Sequence, residues 1–175
     1  AKQLAAGESI FGKEEGSAAQ LTGVILHASD ISNPCRKWDV CKQHSAQIME
    51  EFFRQGDKER SLGMPISPGL YDRGAVNIPK SQIGFIEFVV APLMAVLCRL
   101  FPELRPTIGV NVMENREKWA EVYLGGLDEA VSAEERPGLE ARMVKLREKF
   151  PDHHAEEHTQ KPTRRSSIIL SLIHI

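Results

Sequence analysis

The chain has 175 residues, 42% of them hydrophobic and 26% charged, with a formal net charge of −2. That is the make-up of one ordinary soluble domain or a piece of a larger one, and it excludes the basic footprint of a nucleic-acid binder. Three cysteines, Cys35, Cys41 and Cys98, have no zinc-site spacing and follow no signal peptide, which points to a reducing, cytoplasmic compartment.

The chain opens without Met in a stretch, residues 2–6, that reads as the end of a helix and so as a truncated beginning. Residues 8–16 read as a solvated loop. Leu21, Val24, Ile25 and Ala28 fall at helical spacing and predict a helix over residues 18–29. It should end near residues 31–33, because Pro34 biases Asn33 away from helix. A long amphipathic helix is expected over residues 37–62. Ile48 and Phe52 share one face, Met49 and Phe53 repeat the spacing, and Glu50, Glu51, Arg54 and Gln55 complete the wheel. Gly63 should stop it. Residues 64–78 hold Pro65, Pro68, Gly69 and Gly74 and predict a long loop, a candidate lid or pocket wall.

Residues 79–100 are the most apolar stretch and predict a central buried helix, kinked by Pro92 near Phe88. No apolar run is read as a transmembrane segment. A further helix is expected over residues 106–123, with Ile108, Val112, Asn115, Trp119 and Val122 down one face. The last is expected over residues 137–150, carried by Leu139, Met143, Leu146 and Phe150. Strand signals are absent, so the class is all-α. The domain is expected over residues 1–150, followed by a polar, disordered tail over residues 151–169. Residues 170–175, Leu-Ser-Leu-Ile-His-Ile, are the translation of CTG TCT CTT ATA CAC ATC. That string is the end sequence of a transposon-based sequencing adapter, so these residues are expected to be an artefact and carry no function.

Taken singly, the polar and aromatic residues of these helices have plain structural readings. Asp30 reads as a cap or turn residue, Ile48, Phe52 and Phe85 as core, and Gln82 as a buried amide satisfied by backbone. Together three segments say more. Asp30-Ile31-Ser32-Asn33-Pro34, residues 48–57 (Ile-Met-Glu-Glu-Phe-Phe-Arg-Gln-Gly-Asp) and Ser81-Gln82-Ile83-Gly84-Phe85 resemble, in order and separation, the class I cyclic-nucleotide phosphodiesterases. The resemblance covers about residues 22–119. It implies an all-helical, HD-type catalytic domain with a deep pocket, of which this chain is the C-terminal part. It also implies hydrolysis of 3′,5′-cyclic nucleotides to 5′-monophosphates with two divalent metal ions, zinc and magnesium.

By the same resemblance Asp30 is the last protein ligand of the more tightly held metal. Gln82 matches the purine-selecting glutamine; its amide has a donor and an acceptor with which to address a base edge. Phe85, one turn on, matches the phenylalanine that stacks on the base, and Ile48 the residue pressing on its other face. Phe52 extends that wall. Asn33 matches a position at the base end of the pocket and leans towards cAMP over cGMP.

The departures bear on activity. The family's histidine-rich metal motifs and its general-acid histidine lie upstream of the matched segments. None of His27, His44, His153, His154, His158 and His174 sits in such a motif. His44 stands where many members have tryptophan. The chain is therefore expected to be inactive by itself. The alternative is a non-catalytic nucleotide-binding module; a third reading, a helical interaction domain, leaves the site residues unexplained. Finally, Arg164-Arg165-Ser166-Ser167-Ile168 resembles a site for cAMP-dependent protein kinase, with Ser167 as acceptor.

Overall fold

The computed structural model describes residues 17–151. The segments expected before residue 17, the tail with Ser167 and residues 170–175 lie outside the described residues. Among the described residues all regular structure is helical, as expected.

Helix α1, Ser17–Asp30, stops where the Pro34 constraint requires. The chain turns through a short 3-10 helix, Asn33–Cys35, into α2, Trp38–Ser61. The end of α2 is the glycine stop that the sequence predicts, with Gly63 at φ +68°. The Gly63 N–H bonds the Arg60 carbonyl at 3.1 Å and the Met64 N–H bonds that of Glu59 at 3.0 Å, so the last carbonyls of the helix are satisfied.

Helix α3, Ile78–Phe85, is capped by Asn77, whose side-chain oxygen accepts the Lys80 N–H at 2.9 Å. It continues through a π turn, Ile86–Val90, into α4, Ala91–Leu100. Pro92 is the cause. It has no N–H to give the Phe88 carbonyl, and in a regular helix its ring would press on that carbonyl. The widened turn, in which the Ala91 N–H reaches back to the Ile86 carbonyl, relieves the clash.

Two expectations for this stretch are corrected. It is not buried all round, since Phe88 is 73% exposed and Val89 and Val96 nearly half exposed. And by length and composition Ile78–Leu100 is apolar enough to cross a membrane, whereas the sequence reading finds no such run; half of its most apolar window is buried inside this fold. The inward side, Ile83, Ile86, Val90, Met94 and Leu97, belongs to the hydrophobic core.

Helix α5, Arg105–Gly125, packs along that side. Its buried stripe of Ile108, Val112, Asn115 and Trp119 continues to Tyr123 rather than to Val122, which faces out. The four-residue step keeps the stripe on one face, where the three-residue step expected for Val122 leaves it. Helix α6, Glu129–Lys149, begins well before Pro137, which lies inside it rather than at its start. Pro137 and Ala133 are both exposed, so water can replace the bond that the proline removes. Leu139, Met143, Leu146 and Phe150 are buried, as their spacing predicts.

One buried charge cluster ties these helices together. Glu87, in the π turn, accepts from Arg116 Nε at 2.8 Å and from Arg142 Nε at 2.7 Å. Arg116 also donates to the Leu139 carbonyl at 2.7 Å. Glu87 is thus paired with two guanidiniums, and the buried Arg116 has both that carboxylate and a carbonyl as partners.

Candidate functional site

The turn after α1 is held from behind by α5. Asn115, fully buried, donates to the carbonyls of Pro34 at 2.9 Å and Arg36 at 2.6 Å. Asn111 donates to the Cys35 carbonyl at 2.8 Å. Three successive carbonyls with no helical partner are satisfied, and the chain from Pro34 to Arg36 is fixed against α5.

Between that turn, α2, α3 and the loop joining the two helices lies a cavity of about 220 Å³. It is lined by Asp30, Ile31, Asn33, Ser45, Ile48, Met49, Phe52, Leu70, Ser81, Gln82 and Phe85. Asp30, Asn33, Ile48, Phe52, Gln82 and Phe85, the residues singled out from sequence, are thus brought together around one space. Complete ligand pockets run to roughly 300–1,000 Å³, so this has the size of a subsite. Its wall is mostly apolar, supplied by Ile48, Met49 and Phe52 from α2 and by Phe85 from α3.

The polar groups form a directed relay. Asn33 Nδ2 donates to the Cys41 carbonyl at 3.2 Å and to Ser45 Oγ at 2.9 Å. Ser45 Oγ donates to Gln82 Oε1 at 3.0 Å. A main-chain carbonyl only accepts, so it fixes the Asn33 amide with its nitrogen inward. Ser45 then accepts from Asn33 and has its hydrogen left for Gln82, which orients the second amide. Asn33, Ser45 and Gln82 are all at least nine-tenths buried, and Asn33 Oδ1 has no hydrogen-bond partner. Gln82 Nε2 takes part in none of these bonds. Burial pushes the neighbouring Cys41 thiol up, so it stays neutral beside the relay.

Asp30 brings a carboxylate to the rim of the cavity. Among the described residues no group of three or more His, Cys, Asp or Glu could hold a metal ion. His27 and His44 are exposed and line no part of the cavity. A metal centre needs three or four protein ligands, so these residues do not by themselves make one.

Ser45, Met49, Leu70, Ile31 and Ser81 line the cavity without having been singled out in the sequence. Ser45 lies three residues before Ile48 on the same helix face, a spacing the sequence does display. Leu70 belongs to the loop read as a candidate pocket wall.

Residues 2–111 match the family profile described as 3′5′-cyclic nucleotide phosphodiesterase. The chain is 34% identical over 176 aligned residues to the dual specificity calcium/calmodulin-dependent 3′,5′-cyclic nucleotide phosphodiesterase 1B of Mus musculus, covering 78% of this chain and 31% of that protein. It is 39% identical over 118 residues to the probable 3′,5′-cyclic-AMP phosphodiesterase pde-4 of Caenorhabditis elegans, covering 67% of this chain and 17% of that one. The chain thus spans less than a third of the length of these relatives. Among solved structures it is similar to that of LmjPDEB1 in complex with IBMX, with a TM-score of 0.59 and 27% identity over 70% of this chain and 36% of the other.

Proposed function

This chain belongs to the 3′5′-cyclic nucleotide phosphodiesterase family, and from that premise we propose that it is the base-recognising part of an enzyme that hydrolyses 3′,5′-cyclic nucleotides to 5′-monophosphates, with cAMP preferred to cGMP. The observation that carries the preference is the relay from the Cys41 carbonyl through Asn33 and Ser45 to Gln82. Ser45 holds the Gln82 amide by its oxygen, and Gln82 Oε1 has a second lone pair that calls for a donor. The exocyclic amine of adenine supplies a hydrogen there, and Gln82 Nε2 can then donate to the adjacent ring nitrogen. Guanine brings a carbonyl to the same place and sets lone pairs against lone pairs.

In this reading Phe85 and Ile48 press on the two faces of the base and Phe52 and Met49 extend the apolar wall. Binding therefore excludes water from the base edge, where each hydrogen bond then discriminates most. Asp30 is this chain's contribution to a pair of divalent ions, zinc and magnesium, which supply Lewis-acid activation in the complete enzyme. The other ligands and the general acid come from outside the described residues. In this reading the setting is cytoplasmic, with membrane association of the parent protein open through regions outside this chain. The reading of Ser167 as a kinase acceptor rests on its sequence pattern alone; a peptide of residues 159–169 that takes no phosphate refutes it.

The test is the ratio of kcat/KM for cAMP and cGMP in the full-length protein. An unpaired buried carbonyl costs roughly 1–3 kcal/mol, so a preference for cAMP of about ten- to a hundred-fold is expected. Equal values refute the preference. Binding of both nucleotides without turnover, with the upstream sequence present, would favour the non-catalytic module instead.

A further inference from the structure

The loop between α2 and α3 has little core of its own, yet it is tied to α2 at several points. Arg73 donates to both carboxylate oxygens of Glu50, at 2.7 and 3.2 Å, and to Asp57 Oδ2 at 3.0 Å. Glu50 and Asp57 stand two turns apart on α2, so one guanidinium spans both turns of the helix. It also lies over the Phe53 ring, 4.9 Å from its centroid. The hydrogen bonds from Arg73 and Arg54 hold the Glu50 carboxyl below its usual range, so the clamp stays charged at neutral pH.

Two further contacts set the loop's height above the helix. Ser67 donates from its N–H at 2.6 Å and from its hydroxyl at 2.8 Å to the Glu59 carboxylate. The Tyr71 carbonyl rests directly on Gly56, where a Cβ would come within 2.0 Å of its oxygen. Only a residue without a side chain admits that approach. The Tyr71 ring meets the Phe52 ring at 5.1 Å between centroids. Leu70, between these anchors, is the loop residue that lines the cavity.

We infer that Arg73 is a positioning residue for the cavity, latching the loop to α2 through Glu50 and Asp57 so that Leu70 forms a fixed wall beside the bound nucleotide. The inference rests on the cyclic-nucleotide reading of the site for its kinetic consequence, though not for the latch itself. A pre-formed wall saves the ordering that binding would otherwise require. Loss of the latch therefore weakens binding and leaves the chemical step alone. That separates it from a role in the fold at large, which would lower the fraction of active protein and hence kcat.

The test uses the full-length protein and three variants: Arg73→Met, which keeps the packed stem without the charge, Gly56→Ala, which pushes on the Tyr71 carbonyl, and Arg73→Lys. Amide exchange over residues 66–76 is expected to accelerate at least about ten-fold in the first two variants, as expected of local opening. KM for cAMP is expected to rise about three- to ten-fold with kcat within about two-fold. Lysine, which cannot grip two carboxylates in a fork, should fall between wild type and methionine. Unchanged exchange in Arg73→Met overturns the latch. Faster exchange with an unchanged KM overturns its role in binding. A full-length protein with no turnover refutes the hydrolase reading, and the latch is then decided by exchange alone.

Discussion

Ser45 Oγ donates a hydrogen bond to Gln82 Oε1 at 3.0 Å although 37 positions separate them in the chain. The bond sets which end of the Gln82 amide faces the cavity. Ser45→Ala should release that constraint and let the amide adopt either orientation. The preference for cAMP over cGMP is then expected to shrink by about five- to ten-fold, near the 1 kcal/mol of a typical hydrogen bond. Ser45→Thr retains the hydroxyl and should retain most of the preference. Steady-state kinetics with both nucleotides decide it; a ratio unmoved by alanine means that another group holds the amide.

Much of this framework is legible in the sequence because its signals are local. Pro34 lies four residues past the end of α1 and Gly63 two residues past the end of α2. Pro92 announces the π turn before it. Pro137 misleads: a proline opens helices more often than it interrupts them, and only the polar, solvent-facing stretch before it lets α6 continue through. Phe88 misleads in the opposite sense, because apolar character gives burial only where a neighbour covers the side chain. The Ser45–Gln82 bond is not legible, since it depends on the angle at which two distant helices meet. The gathering of Asp30, Asn33, Ile48, Phe52, Gln82 and Phe85 around one cavity shows a spatial arrangement that periodicity could not give.

On the proposed reading Gln82→Ala removes the relay's end and the base-edge bonds together. In the complete enzyme kcat/KM for cAMP should fall about 10- to 100-fold, the cost of leaving a buried partner unpaired. Phe85→Ala should lose a comparable amount through stacking. Phe85 is half-buried against the core, so some stability should go with it, and Gln82→Ala, which leaves the buried Ser45 hydroxyl without its acceptor, should cost about 1 kcal/mol. Unchanged kinetics in a folded Gln82→Ala enzyme would show that the base binds elsewhere.

The Glu87 cluster makes a prediction about stability. The side chains of Arg116 and Glu87 are 3% and 7% exposed, whereas that of Arg142 is 39% exposed. Glu87→Gln leaves the Arg116 guanidinium buried without a counter-charge, a change that typically costs about 3–5 kcal/mol. Arg142→Met removes a partly solvated partner and should cost about 1 kcal/mol or less. Urea unfolding should show the midpoint falling far more for Glu87→Gln, with the slope unchanged. Equal losses would mean that the cluster acts through packing rather than charge.

The 175-residue chain expressed by itself is expected not to hydrolyse cAMP or cGMP. Among the described residues Asp30 is the one acidic side chain lining the cavity, and none of them form a His, Cys, Asp or Glu cluster that could hold a metal ion. A single carboxylate gives one or two of the ligands that an ion requires, so zinc should be lost on dialysis. Nor does a histidine among the described residues face the cavity to protonate a leaving oxygen, since His27 and His44 are both exposed away from it. On the proposed reading base binding makes no such demand, because Asn33, Ser45, Gln82 and Phe85 all line the cavity. The chain alone should therefore bind adenine nucleotides weakly without turning them over. Expressed as part of a full-length protein, it should retain zinc and hydrolyse cAMP. Asp30→Ala in that longer protein should abolish both while the circular dichroism of its helices stays the same. Metal-dependent turnover by the purified chain would put the catalytic groups on residues away from this cavity, and would overturn the assignment of Asp30.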